Sequence, residues 1–557
     1  MYLMISMNFL IFSFMFLMFS ILIFINKKIL LINWLIYNYN SLNINFLIYI
    51  DWMSLMFIST VLVISSMVIL YSMEYMELDK FKKRFLFLII SFISSMILMI
   101  ISPNLISIIL GWDGLGFSSF CLIIYYQNYN SYNSGMTTIL MNRMGDICLI
   151  LSISLMMSQE NWNLPFLNKK LNILILILLT LTTMTKSAQI PFSSWLTKAM
   201  AAPTPISSLV HSSTLVTAGI YLMIRFYNII PNYFFKFFIY IACFTMIYSS
   251  ISANFEFDLK KIIALSTLSQ LSIMFMTICL NQPLISFFHL ISHAMFKSLL
   301  FLCSGIIIHN NNNNQDIRFI SMNNYFSPYI SMIFYLASLS LSGIPFLSGF
   351  YSKDLIIELF NMKFYNMIMF YIMFISMMLT MAYSARLIFY LMIKQLKMSL
   401  FTKNLTLSKM NFSIMLLILL TIFLGSNFNW LFLNNLNLII LNKKIKLMMF
   451  KLFIFSIIIS ILLINLYKKF LNQWYFLMKF FNLMFFLPNL MKKNKINMYM
   501  MNQKFFKMID QGWIEYLMIK KKIILFNNLF FKFNNLNLNM FMIMFLIYCS
   551  MFMHFFF

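Results

Sequence analysis

The chain has 557 residues, of which 62% are hydrophobic and only 10% are charged. A soluble domain carries about 25% charged residues, so this composition excludes a water-soluble fold. The formal net charge of +26 would suggest nucleic acid in a soluble protein, but the sequence predicts no folded polar domain that could present that charge. Half of the 40 basic residues lie between 392 and 532, where they suit anionic lipid headgroups beside membrane spans.

Apolar stretches long enough to span a bilayer recur along the chain, since a spanning helix needs about 20 apolar residues. The first eight stretches are residues 2 to 25, 47 to 72, 84 to 101, 104 to 126, 134 to 157, 171 to 190, 205 to 227 and 233 to 252. They continue at 260 to 280, 284 to 308, 327 to 345, 363 to 391, 411 to 431, 446 to 467 and 537 to 557. We predict an all-α polytopic membrane protein of about 15 to 16 transmembrane helices, because the alternation typical of barrel strands is absent.

Small residues, which let membrane helices approach closely, mark the predicted functional core at about 103 to 391. All alanines fall between Ala188 and Ala385, and nine of the eleven glycines fall between Gly111 and Gly349. Mutational bias that spared this region is the alternative explanation.

Two segments of this core combine an apolar run, a proline and a lysine. They are Thr185 to Pro191, which includes Lys186, and Gly343 to Pro345, which Lys353 follows closely. Paired interrupted helices of this kind indicate an inverted-repeat transporter with its ion site at the breaks. Alternatively, each proline only kinks a helix at the edge of a loop.

These features predict six regions. They are N-terminal transmembrane helices (1–83), a first inverted repeat with a broken helix at Lys186 to Pro191 (84–227), a second with a broken helix at Pro345 to Lys353 (228–391), further transmembrane helices (392–467), a lateral amphipathic helix (468–536) and a terminal transmembrane anchor (537–557). A polar connector is the alternative for the fifth region.

Ionisable residues inside apolar stretches are the candidate site, because a charge at the bilayer centre costs about 2.5 to 3.5 kcal/mol and usually serves transport. The candidates are Asp113, Asp146, Lys186, His211, Lys260, Lys261, His289, His293, Lys297, Lys353 and Asp354. We expect Asp113 to pair with Lys186, either as a proton-loading pair or as a static ion pair. Arg143 and Asp146 lie one helical turn apart and are predicted to form a structural ion pair.

His289, His293 and Lys297 are spaced four residues apart, which aligns them on one helix face as a possible proton wire. Zinc binding is an alternative for the two histidines, although no third ligand is evident. His211 lies among hydroxyl residues and could equally be a satisfied core histidine. The six cysteines lie singly, without the spacing of a zinc or iron-sulfur site.

Several motifs together resemble one family, the antiporter-like membrane subunits of respiratory complex I, and above all the largest of them. The motifs are Gly111 to Gly116, Asn142 to Asp146, Lys186 to Gly219, Asp258 to Gln270, His289 to Lys297 and Gly349 to Asp354. The resemblance covers about 47 to 391 in order and spacing, and the long C-terminal extension favours the largest subunit. The family commonly has glutamate at Asp113, and proline and alanine at Thr197 and Lys198.

The resemblance implies a proton-pumping module without redox centres of its own. Asp113 and Lys186 would pair, His211, Lys260, His289, His293 and Lys297 would form a hydrated axis, and Lys353 would control its outlet. FMN, iron-sulfur clusters, NADH and ubiquinone would belong to partner subunits. The expected partners are neighbouring antiporter-like and accessory subunits and lipids such as cardiolipin, with no nucleic acid.

The favoured residue types have codons rich in A and T, which indicates an organellar gene. With the resemblance, this predicts a mitochondrially encoded protein of the mitochondrial inner membrane. A stand-alone cation/proton antiporter and a purely structural membrane scaffold remain alternatives.

Overall fold

A computed structural model of the chain describes residues 1–39, 42–159, 162–164, 172–320, 327–363, 366–393, 409–432, 439–469, 475–482, 484–486 and 499–508. The chain divides into two compact units, Met1–Phe485 and Phe486–Phe557. In the second unit the structure describes a helix over 499–508. All other elements belong to the first unit.

The first unit is mostly helical. Its first half contains α1 (Tyr2–Asn26), β1 (Leu30–Tyr39), β2 (Leu42–Ile50), α2 (Trp52–Tyr75), α3 (Lys82–Ile101), α4 (Leu105–Ile123), α5 (Tyr129–Met156), α6 (Ile173–Lys186), α7 (Ser194–Ala199), α8 (Thr204–Ile206) and α9 (Leu215–Phe226). A π-helical segment, Ser207–Thr214, joins α8 to α9. Its second half contains α10 (Asn232–Phe255), α11 (Leu259–Cys279), α12 (Pro283–Asn310), α13 (Pro328–Ser342), α14 (Ser348–Lys363), α15 (Met367–Ile388), α16 (Lys409–Phe432), α17 (Lys443–Lys446), α18 (Met448–Lys469) and α19 (Tyr475–Asn482).

Within the described residues, eleven helices are long and apolar enough to cross a membrane, which confirms the multi-span helical fold. The span Thr204–Ile229 and helices α2, α11 and α12 are buried almost throughout, whereas α1 is mostly exposed. Hydroxyl side chains on these apolar helices bond carbonyls of the preceding turn, as Ser65 does with Leu62 and Ser269 with Ser266. Such bonds satisfy a hydroxyl without water, so serine is tolerated in a hydrocarbon environment.

A β-hairpin that hydropathy does not predict precedes α2. β1 and β2 are antiparallel, with Leu30 opposite Ile50 and an irregularity between Leu35 and Tyr37. The predicted span starting at 47 was therefore wrong at its beginning, since residues up to Ile50 belong to β2. Aromatic and branched residues stabilise extended backbone as readily as they populate an apolar span, and hydropathy does not separate the two.

The helices are interrupted near both predicted breaks. α6 ends at Lys186 and α7 begins at Ser194. α13 ends at Ser342, followed by Gly343 with a φ of 85°, the left-handed conformation that glycine favours at helix C-termini. One placement needs correction: Lys353 lies inside α14 rather than in the break, because the chain resumes helix at Ser348. The division into two inverted repeats stays a prediction.

The predicted C-terminal regions are described only in part. Helices α16 and α18 occupy the region assigned to further transmembrane helices. Of the predicted lateral helix, the structure describes α19, residues 484–486 and the helix over 499–508. The predicted terminal anchor at 537–557 lies outside the described residues.

An ion pair ties the end of the hairpin to α9. The Asp51 carboxylate caps α2 by accepting from the Ser54 N–H at 2.8 Å. It also accepts two hydrogen bonds from Arg225, at 2.5 and 2.7 Å. The side chains are 9% and 21% exposed, respectively. Burial raises the pKa of Asp51, but the hydrogen bonds and charge of Arg225 outweigh it and lower that pKa below its ordinary value.

We expect Asp51→Asn to lower the free energy of unfolding by about 3 to 5 kcal/mol, because it leaves a largely buried guanidinium without its counter-ion. The fall in the thermal unfolding midpoint measures this loss. Asp316→Asn is the matched control, since its partner Arg318 has a half-exposed side chain and an exposed pair contributes about 0 to 1 kcal/mol. Equal losses in the two variants would contradict the prediction.

The same pair predicts a pH dependence. Because the pKa of Asp51 is lowered in the folded chain, its contribution to stability is complete above the ordinary aspartate pKa of about 3.9. The contribution disappears as pH falls through the lowered folded pKa. The wild-type chain and Asp51→Asn should therefore converge in unfolding midpoint under strongly acidic conditions, and a constant difference would refute this.

Candidate functional site

Helices α4, α5 and α6 bring together five residues, which we call the α4–α6 cluster: Trp112, Asp113, Arg143, Asp146 and Lys186. Arg143 pairs with Asp146 at 3.1 Å and lies 3.7 Å from the Asp113 carboxylate. The predicted pair of Arg143 with Asp146 is thus present. Asp113 is 41% exposed, whereas Asp146 is 10% exposed.

The predicted direct pairing of Asp113 with Lys186 is absent from the structure. Lys186 is fully buried at the end of α6, where its ammonium donates to the Trp112 carbonyl at 3.4 Å and lies 4.8 Å from the Trp112 ring centre. Asp113 instead contacts Arg143, because it occupies the half-exposed face of α4. Trp112 also links Lys186 to a second carboxylate, that of Asp146, which accepts the Trp112 indole N–H at 2.8 Å.

Close backbone contacts fix the end of α6. A side chain at Gly219 would lie 2.6 Å from the Thr183 carbonyl oxygen and 2.8 Å from the Ser187 nitrogen, so α9 packs directly on the break. The Trp195 indole donates to the Thr185 carbonyl at 3.0 Å, which satisfies one of the carbonyls left free at a helix end. The tightly packed break therefore holds Lys186 in one position.

His211 and Lys260 lie on the central helices beyond this break. His211 occupies the π-helical segment, is fully buried, and neither ring nitrogen has a hydrogen-bond partner among the described residues. Its ring centre is 6.4 Å from that of Trp195. Lys260 turns inward and donates to the Ala202 carbonyl at 3.2 Å. Its neighbour Lys261 points elsewhere and pairs with Asp258, as an interfacial residue would.

His289, His293 and Lys297 form the α12 row, and all three are fully buried. His289 is held on both sides, by Ser352 of α14 at 2.8 Å and by Gln270 of α11 at 3.2 Å.

The other members of the row are held differently. The His293 ring lies 6.3 Å from that of His289, and its nitrogens have no partner in the described part of the chain. Lys297 donates to the hydroxyl of Ser266 on α11.

Lys353 contacts the end of the neighbouring interrupted helix. Its ammonium donates to the Leu341 carbonyl in the last turn of α13, where carbonyls lack intrahelical donors and the helix dipole favours a cation. Asp354 is only partly buried, and among the described residues it has no hydrogen bond or ion pair with the α4–α6 cluster or the α12 row. The structure therefore brings Lys353, but not Asp354, to the α12 row through α14.

The structure adds contact residues that sequence reasoning missed: Trp112, Ser266, Gln270 and Ser352. The available signal was polar residues in apolar helices, such as Ser266 and Gln270 on α11, but serine alone is too common in this chain to be informative. Where the structure describes the chain, no group of three His, Cys, Asp or Glu residues is arranged to hold a metal.

Comparison with known families covers nearly the whole chain. Residues 102–380 match the family "NADH:quinone oxidoreductase/Mrp antiporter, TM". Residues 34–86 match "NADH-Ubiquinone oxidoreductase (complex I), chain 5 N-terminus", and 383–557 match "NADH dehydrogenase subunit 5 C-terminus".

Individual relatives agree. The chain is 45% identical over 496 residues to NADH-ubiquinone oxidoreductase chain 5 of Anopheles quadrimaculatus, which covers 87% of this chain and 86% of the relative. It is 43% identical over 533 residues to that of Aedes aegypti, covering 93% and 92%. The chain belongs to the NADH-ubiquinone oxidoreductase chain 5 family. The resemblance inferred from the motifs is thereby confirmed.

A solved structure shares the fold of this chain 5 family member. A chain of the Mrp complex from Dietzia sp. superposes with a TM-score of 0.70 at 21% identity. The match covers 85% of this chain and 55% of that longer chain. The antiporter-like architecture predicted from the interrupted helices is therefore confirmed at the level of the fold.

We expect Gly219→Ala to destabilise the chain by about 1 to 3 kcal/mol, because the added methyl meets backbone atoms of the α6 break that cannot move independently. The thermal unfolding midpoint measures the effect. Gly116→Ala is the control: its methyl would meet only the Lys186 ammonium at 3.9 Å, an ordinary contact. A destabilisation by Gly116→Ala as large as that by Gly219→Ala would count against the packing argument.

Proposed function

We propose that this chain is a proton-translocating membrane subunit of respiratory complex I in the mitochondrial inner membrane. The observation that carries the proposal is a set of ionisable side chains that are fully or almost fully buried inside the helical core of the chain. They are Lys186, His211, Lys260, His289, His293, Lys297 and Lys353. Such groups are costly in hydrocarbon, and a transport role explains why they are present.

The buried lysines are suited to gain and lose protons because no carboxylate directly holds their charge. Among the described residues, no acid lies within ion-pair distance of Lys186, Lys297 or Lys353, whose partners are carbonyl and hydroxyl oxygens. An oxygen dipole stabilises an ammonium less than a carboxylate does, so the charged and neutral forms are closer in free energy. Each lysine is therefore a candidate proton-holding station.

The α12 row and Lys353 support a coupled transfer, in which the charge of one lysine affects the other. Lys297 and Lys353 are both buried near the α12–α14 contact, where two like charges disfavour each other. A proton that arrives at one lysine therefore promotes release from the other. Unpartnered buried nitrogens at His211 and His293 mark the positions that ordered water would satisfy to complete the path.

The energy for proton translocation comes from electron transfer in other subunits of the assembly. Moving one charge against the membrane potential needs about 2.3 kcal/mol per 100 mV. In the proposed scheme, other subunits hold NADH, ubiquinone, FMN and the iron-sulfur clusters, and this chain converts their energy into shifts of the α4–α6 cluster. Its partners are the neighbouring membrane-arm subunits and anionic lipids such as cardiolipin.

Replacement of the buried lysines tests the proposal. We expect Lys186→Met, Lys297→Met or Lys353→Met to lower NADH-driven proton pumping at least tenfold, because methionine keeps the side-chain length but cannot hold a proton. The measurement is proton uptake into vesicles containing the assembled complex, together with NADH oxidation. Lys236→Met is the control, since Lys236 is exposed at the start of α10. Unchanged pumping in all three buried variants would favour a structural scaffold.

A stand-alone cation/proton antiporter is the second candidate, and the fold shared with a chain of the Mrp complex favours it. The two candidates differ in assembly. Affinity purification of the full chain from native membranes should yield an NADH-oxidising complex under the first proposal. Recovery of cation/proton exchange without any NADH-oxidising activity would support the second.

A further inference from the structure

Trp112 contacts both charged members of the α4–α6 cluster that lie deepest. Its indole N–H donates to Asp146 at 2.8 Å, while its ring centre lies 4.8 Å from the Lys186 ammonium. The side chain is almost completely buried. No other described residue has a hydrogen bond or ring contact to both of these groups.

We propose that Trp112 is a positioning residue that couples the Asp146 carboxylate to the Lys186 ammonium, an inference that rests on the function proposed above. The indole suits this place because its N–H edge is positive and its face is negative. The edge therefore favours the carboxylate and the face favours the ammonium. Loss of either charge removes one of the two attractions that orient the ring.

Each of these three residues directly follows a residue at which two helices are in close contact. Trp112 follows Gly111, where an added side chain would lie 2.6 Å from the Met99 nitrogen of α3. Asp146 follows Gly145, which packs against Thr185, and Lys186 follows Thr185. The helices therefore approach one another closely next to each of these three residues. Because the packing restricts movement of the Trp112 ring, a change of charge in this cluster acts on a ring that stays in contact with it.

The simpler role for Trp112 is to fill volume between α4, α5 and α6. Removal of any large buried side chain would then lower activity through misassembly or loosened packing. Residues in contact show non-additive effects in either role, so the two roles differ in what abolishes the effect. Under the coupling role, loss of the indole N–H has no further consequence once the Asp146 charge is removed, whereas a volume-filling role keeps its loss in that background. A double-mutant cycle is therefore the decisive experiment.

The first arm uses Trp112→Phe, which keeps an aromatic face for Lys186 but removes the N–H donated to Asp146. In vesicles containing the assembled complex, we expect NADH-driven proton pumping to fall about tenfold, the scale of one lost hydrogen bond to a charged group. Trp162→Phe is the matched control, since that buried indole donates to the Ile153 carbonyl at 3.3 Å, outside the cluster. A control variant that pumps at the wild-type rate while Trp112→Phe does not supports the inference.

The second arm combines substitutions. Trp112→Phe in an Asp146→Asn background should cause no further loss, because the hydrogen bond to a carboxylate is already gone. Trp112→Leu, which also removes the ring face, should add little in a Lys186→Met background. Multiplicative losses in both backgrounds would overturn the coupling role. A native gel shows whether the complex with Trp112→Leu assembles. If it does not, the double-mutant cycle of Trp112→Phe with Asp146→Asn tests the coupling role by itself.

The single variants separate this inference from the proposed function. If Asp146→Asn and Lys186→Met leave pumping unchanged, proton translocation through this cluster is refuted, and the role of Trp112 with it. If they lower pumping but Trp112→Phe behaves like Trp162→Phe, only the coupling role is refuted.

Discussion

The buried lysines of this chain are held by oxygen dipoles rather than by carboxylates, and the rest of the site depends on this constraint. Lys353 binds a carbonyl in the last turn of α13, and Lys186 binds the Trp112 carbonyl. A helix that ends inside the membrane exposes such carbonyls, which would otherwise lack donors. The interruption after α13 therefore provides a cation ligand for Lys353 without a fixed negative charge, whereas the carbonyl that binds Lys186 comes from within the continuous helix α4.

The two carboxylates of the α4–α6 cluster differ in burial, although both lie near Arg143. The guanidinium lies close to both acids and neutralises part of their charge on the half-exposed side of α4 and α5. Lys186 is thus separated from a direct counter-ion, and the Trp112 ring takes its place. Among the described residues, the hydrogen-bond partner of the Lys186 ammonium is the Trp112 carbonyl, and no carboxylate lies within ion-pair distance of it.

The sequence predicted those parts of the fold and site that depend on neighbours along the chain. Spans follow from hydropathy, the breaks from glycine and proline, and the α12 row from a spacing of four residues. The partners of that row, Gln270 and Ser352, could not be predicted, because they depend on which helices pack together. The hairpin was missed for a different reason: its aromatic and branched residues have the same hydropathy as a membrane span.

The α12 row contains two histidines with opposite constraints, and the difference bears on how a proton moves. His289 is fixed between Ser352 and Gln270, so turning its ring would break two hydrogen bonds. His293 has no partner among the described residues, so its ring can turn without breaking a bond to protein. In the proposed proton path, His289 would therefore present its ring in one orientation, whereas no hydrogen bond to a described residue sets the orientation of the His293 ring.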